Sequence, residues 1–152
     1  MRRSERQIES KAEMESIIRD STICHLALSD DGRPYIVPLN FGYEKGALYF
    51  HGAKEGRKID IIRLNSEACF SFVSDHRIVP SESACGWSTR YRSVTGFGTA
   101  SLLEDRDSRK AALGIIMNQY SGDEVHFEDG AVDEVMIIRI EIESMTGKAS
   151  GD

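Results

Sequence analysis

The spacing of apolar and polar residues divides the chain into short elements of two periods. Arg6–Asp20 carries Ile8, Ala12, Ile17 and Ile18 among charges at helical spacing, which predicts an amphipathic helix. Gly56–Leu64, with Ile59 and Ile62, and Asp107–Tyr120, with Ala111, Leu113, Ile115, Ile116 and Met117, predict two more. Six stretches read as strands: Ile23–Leu28, Pro34–Leu39, Ala47–His51, Ala68–Val73, Trp87–Leu103 and Val135–Ile142. Asp31-Gly32 carries the signal of a tight hairpin, and Glu44-Lys45-Gly46 that of a second turn. Gly96 and Gly98 interrupt the long fifth strand, as glycines do where a strand bulges or bends at a barrel corner. Asp75–Gly86 and Ser121–Asp133 read as loops. Strands that follow one another by hairpins pair antiparallel. Such closely spaced, bent strands predict an α+β fold, a small barrel flanked by helices.

Composition narrows the function classes. With 152 residues, 40% hydrophobic and 29% charged, the chain is expected to form one domain over residues 1–152. The apolar runs are far shorter than the roughly 20 residues of a membrane helix, so no membrane partner is expected. The polar start MRRSERQIES lacks the apolar stretch of a secretory signal, which predicts a cytoplasmic protein. A net charge of −6 argues against nucleic acid as a partner, because that binding draws on a basic face. Cys24, Cys69 and Cys85 stand at wide, irregular spacing that suggests neither disulfides nor a metal site. Acid is concentrated between Asp123 and Glu143, whereas the basic residues gather at Arg2–Lys11, Lys54–Arg63 and Arg90–Arg92.

The second basic cluster carries the most chemistry. A strand ends at His51, a loop with Gly52 and Gly56 follows, and a helix then opens with Arg57 and Lys58. Cations in a first helical turn oppose the macrodipole, whose N-terminal end is already positive. They are at home there when an anion is held, because exposed N–H groups, the dipole and both cations then converge on it. The alternative is a pair of solvated surface charges relieved by Glu55 and Asp60. The segment is not a P-loop, and Gly96-Phe97-Gly98 lacks the third glycine of a dinucleotide fingerprint.

Three segments resemble a known family: Arg33-Pro-Tyr-Ile-Val-Pro-Leu-Asn-Phe-Gly-Tyr43, Leu48-Tyr-Phe-His-Gly-Ala with Gly56-Arg-Lys58, and Ala84 to Gly98. They are similar to the pyridoxamine 5′-phosphate oxidase-like proteins, and to the branch that holds the 5-nitroimidazole-resistance reductases. Ser144-Met-Thr-Gly-Lys148 fits the same branch. The resemblance implies a six-stranded antiparallel split β-barrel with flanking helices. It also implies a homodimer with FMN at the subunit interface and a small-molecule substrate. Carried over by position, Arg57 and Lys58 would bind the FMN phosphate. Val37, Pro38, Leu39 and Asn40 lie on the strand beside the flavin ring, where backbone groups of Val37 and Leu39 would meet it. His51 and Gly52 would end the next strand at the cofactor, and Ser93 would reach FMN from the partner chain. Oxidases proper carry an arginine near Tyr35 and a C-terminal substrate segment with Arg and His, where this sequence reads Gly-Lys-Ala-Ser-Gly-Asp. The resemblance therefore implies reduction of a small aromatic or nitro compound, with His51 as the catalytic candidate, rather than vitamin B6 oxidation. His51 is equally open to a purely structural role. A flavin- or haem-binding module without turnover, for storage or sensing, is the alternative function.

Overall fold

The computed structural model describes residues 3–151; Arg2, counted above in the first basic cluster, lies outside them. The chain runs β1 (Gln7–Ile8), α1 (Lys11–Asp20), β2 (Cys24–Asp30), β3 (Arg33–Leu39), β4 (Gly42–Glu44) and β5 (Ala47–Ala53). It continues with α2 (Arg57–Leu64), β6 (Glu67–Val79), β7 (Ser88–Leu103), α3 (Arg106–Tyr120), α4 (Asp129–Asp133) and β8 (Val135–Ser150).

All pairings are antiparallel, in the order β3-β2-β6-β7-β8-β5-β4, with β1 added to β8. β3 and β4 sit at opposite ends of this order, yet only Asn40 and Phe41 separate them in the chain. The sheet must therefore curl until its ends nearly meet, which gives an α+β split barrel. The six predicted strands are β2, β3, β5, β6, β7 and β8. The β7–β8 register shifts at Phe97–Gly98, where the paired glycines predict a bend.

Several boundaries differ from the sequence reading. The first helix begins at Lys11, because Ser10 caps it by accepting the Glu13 N–H at 3.3 Å. Ile8 instead belongs to β1, opposite Gly147, and the helix buries Met14, Ile17 and Ile18. β6 runs on to Val79 and β8 to Ser150, each held by pairing with β7 rather than by burial of alternate residues. The expected acidic loop contains α4, whose Val132 is fully buried.

Two cores result. The larger fills the barrel with Leu26, Leu48, Phe50, Phe70, Phe72 and Ile140, closed by α1 and α2. The smaller lies under α3 and α4, where Ala112, Leu113, Ile116 and Val132 meet Ile137. β8 is thus buried on both faces. The crossover at Phe41 is pinned between them: its amide donates to Tyr120 Oη at 2.9 Å, and that hydroxyl donates to the Thr22 carbonyl at 2.9 Å.

Candidate functional site

The α2 N-terminus forms an open, positively charged corner. Gly56 precedes the helix at φ 130°, ψ 169°, a backbone conformation that favours glycine, and no side chain caps the helix. Its carbonyl takes the Ile59 and Asp60 amides at 3.0 and 3.1 Å, so the Arg57 and Lys58 amides come earlier than any intrahelical acceptor. A Cβ at Gly52 or Gly56 would meet nothing within 4 Å, so the corner is not filled by protein. Buried Ile59, Ile61 and Ile62 fix the helix against the barrel.

Both predicted cations are present at this corner. The Arg57 guanidinium lies 5.1 Å from the centre of the Tyr35 ring, and its Nη2 contacts Asp30 Oδ2 at 3.2 Å. Lys58 is half-buried and makes no ion pair among the described residues. Tyr35 and Asp30 escape a reading based on period and motif. Asp30 stands just before the Asp31-Gly32 turn, and the pairing of β2 with β3 is what brings both residues to Arg57.

β3 supplies the free edge beside the corner. Asp31 and Gly32, at φ 50° and 81°, form a two-residue hairpin, so its flanking pair Asp30–Arg33 exchanges hydrogen bonds. Pairs then alternate along the ladder. Tyr35, Val37 and Leu39 spend their backbone groups on β2, while Ile36 turns its N–H and C=O to the open edge. On this register the outward-facing backbone groups beside Val37 belong to Ile36. Pro34 and Pro38 occupy the other outward positions, where a missing N–H leaves no orphan donor. The Val37 and Leu39 side chains pack on the barrel core, and Asn40 is exposed at the end of β3.

His51 and Ser93 stand elsewhere. On β5, Leu48 and Phe50 face the barrel core, so Gly52 shares their side and His51 points the other way. The imidazole opens on a cavity of about 270 Å³, lined by Leu113, Ile116, Met117, Phe127, Ala131 and Val135. Ser93 lies on β7, its Oγ donating to the Lys148 carbonyl at 3.4 Å. Beside it, Lys148 and then Arg6 pull the Tyr91 phenol below its ordinary pKa. β2 and β6 separate β7 from β3, roughly 14 Å at about 4.8 Å per strand. Within one chain, Ser93 and the β3 edge are thus well apart.

The outer face of the same strands is apolar. Ile36, Ala27, Cys69 and Phe97 are successive cross-strand partners and form one row over β3, β2, β6 and β7. Ile36 is 66% exposed and Phe97 59%, with Val73 at 48% on the same face. So much exposed apolar side chain in one row marks a surface built to be covered.

No helix among the described residues is long and apolar enough to cross a membrane, and no group of three or more metal-ligating side chains occurs among them. A search of curated proteins finds no match. Among solved structures, a candidate 5-nitroimidazole antibiotic resistance protein from Bacteroides thetaiotaomicron is 37% identical. That match covers 94% of this chain and 86% of the other, with a TM-score of 0.85. The flavocytochrome Anf3 from Azotobacter vinelandii shares the fold at 17% identity and TM-score 0.87, over 100% of this chain and 72% of the other. The FAD and heme binding protein from Mycobacterium smegmatis does so at 20% and 0.85, over 97% and 74%. The sequence model of the pyridoxamine 5′-phosphate oxidase family matches residues 10–149. The chain belongs to that family, in the branch of the 5-nitroimidazole-resistance proteins.

Proposed function

We propose that this protein is an FMN-dependent oxidoreductase that reduces a small aromatic or nitro compound, with the flavin held between two copies of the chain. The observation that carries the reading is the uncapped start of α2, where Arg57, Lys58 and free amides face space that no side chain fills. That donor set suits a phosphate monoester: two cations, a helix N-terminus and a glycine approach. The 37% identical Bacteroides protein supports the nitro-compound reading by its own description. Solved structures of the same fold include proteins described as binding FAD, in keeping with a flavin.

Each residue then has a role. Arg57 and Lys58 hold the phosphate. The free edge at Ile36, with Pro38 and Asn40 beside it, borders the ring, and Gly52 leaves room for it. Bound FMN would supply reversible hydride and electron transfer. His51 is the candidate proton donor to the acceptor, its imidazole set against an apolar wall. The Ile36–Ala27–Cys69–Phe97 row is the proposed homodimer face, and Ser93 on that face reaches the flavin of the second copy.

The test is a titration of the purified protein with FMN. Expected are a flavin absorption spectrum that stays with the protein, bleaching by dithionite or a nicotinamide donor, and reoxidation by a nitroimidazole. Sedimentation should give a dimer that Phe97→Glu converts to monomer. A protein that binds no FMN would end the proposal. Bound FMN that reduces but passes electrons to no nitroaromatic would mark a binding module instead.

A further inference from the structure

The Arg57 corner already holds one anion of its own. Asp30, the last residue of β2, places Oδ2 3.2 Å from Arg57 Nη2, and both side chains are about half exposed. The hairpin end that carries it lies against α2, where Asn65 Nδ2 donates to the Ser29 carbonyl at 3.3 Å. Asp30 is therefore held in place next to the cation. Its partner across the ladder, Arg33, is exposed and makes no ion pair with it.

From this geometry we infer that Asp30 is an internal competitor for the phosphate and holds the FMN affinity below what the two cations alone would give. The inference rests on the proposed phosphate site. Asp30 takes one guanidinium donor and leaves the others free, so a phosphate shares Arg57 with it rather than displacing it. The shared arrangement sets a carboxylate close to a dianion, and like charges a few ångströms apart repel. Arg57 does not depend on Asp30 for its direction, since the Tyr35 ring also supports it at 5.1 Å. Removing the Asp30 charge should thus leave the guanidinium in place and relieve the repulsion.

The experiment measures dissociation constants of FMN and of riboflavin, which lacks the phosphate, for the wild type and for Asp30→Asn and Asp30→Ser. The same proteins are melted to check folding. Expected is FMN binding tighter by about three- to tenfold in both variants at low salt, shrinking as salt screens the charges. Riboflavin affinity should stay unchanged. Unchanged or weaker FMN binding in folded variants overturns the inference and makes Asp30 a support for Arg57. Equal affinity of the wild type for FMN and riboflavin would remove the phosphate site itself, and the inference with it.

Discussion

His51 and Arg57 are separated in sequence only by the end of β5 and a short loop, yet the corner and the cavity they mark are opposite kinds of surface. The corner is open and charged, built from a helix start and a hairpin end. The cavity is a half-open pocket walled by side chains of α3, α4, β8 and Phe127, and apart from the imidazole everything lining it is apolar. β5 joins them, because its alternation sends Gly52 to one side and His51 to the other. Under the proposed function binding and chemistry are thereby separated: charge would anchor the phosphate at one end of the strand, while an apolar wall bearing His51 lies on its other face. Damage to one region should leave the other intact.

The largest effect should come from the corner. Arg57→Ala with Lys58→Ala is expected to weaken FMN at least about a hundredfold, since charged hydrogen bonds are worth about 1.5–3 kcal/mol each. Thermal stability should change little, because the Arg57–Asp30 pair is a surface pair worth about 0–1 kcal/mol. Calorimetric titration and a melting curve measure both. An FMN affinity that survives the double change would merge the two regions, with the ligand held by the apolar side.

How legible each region was in the sequence follows from its physics. Arg57 and Lys58 stand out because cations oppose a helix dipole, a rule that needs only local sequence. Asp30 and Tyr35 do not, because Arg57 meets them through strand pairing across about 25 residues, which no local period encodes. The outward backbone of Ile36 shows the same limit. Whether a strand residue bonds inward or outward depends on hairpin register, and the two-residue Asp31–Gly32 turn makes Ile36 the outward one. The six long strands were readable from alternation. β1 and β4 were not, being two and three residues long, and the ends of β6 and β8 were hidden because partners rather than burial hold them. α4 was masked by its acid: only the buried Val132 betrays it.

Gly42 offers a way to disturb the cavity alone. A Cβ there would lie 2.7 Å from the Ile116 amide nitrogen and 2.8 Å from the Ile115 carbonyl carbon, both backbone atoms of α3. Gly42→Ala must therefore push α3, the helix that walls His51. Overpacking of this kind costs about 1–3 kcal/mol, read as a lower melting temperature. FMN affinity should move by less than about threefold, well under the tenfold that 1.4 kcal/mol represents. A comparable loss of FMN would mean that α3 supports both regions. His51→Gln probes the chemistry more gently. Reduction of the nitro acceptor should slow by about a hundredfold, at the low end for a lost proton donor. FMN binding should again hold, as measured by stopped-flow reoxidation beside a titration.

The smallest effect lies outside both regions and fixes the baseline. Tyr43 of β4 donates its hydroxyl to Glu15 Oε1 at 2.8 Å, with Arg19 5.5 Å from its ring centre. Burial first, then the Glu15 carboxylate, pushes its pKa up to about 12. In the unfolded chain the phenol titrates near its ordinary value of about 10. The folded form holds its proton longer, so the contribution of Tyr43 is complete below about pH 10 and is lost as pH rises toward about 12. Tyr43→Phe removes this dependence. Its stability should therefore fall less than that of the wild type between those pH values, by under about 1 kcal/mol because the ring is part-exposed and solvent screens it. Denaturant unfolding at a series of pH values reads the difference. Parallel curves for the two proteins would show that the Glu15 contact does not bias the phenol, and FMN affinity should be the same in both, since this contact serves the fold alone.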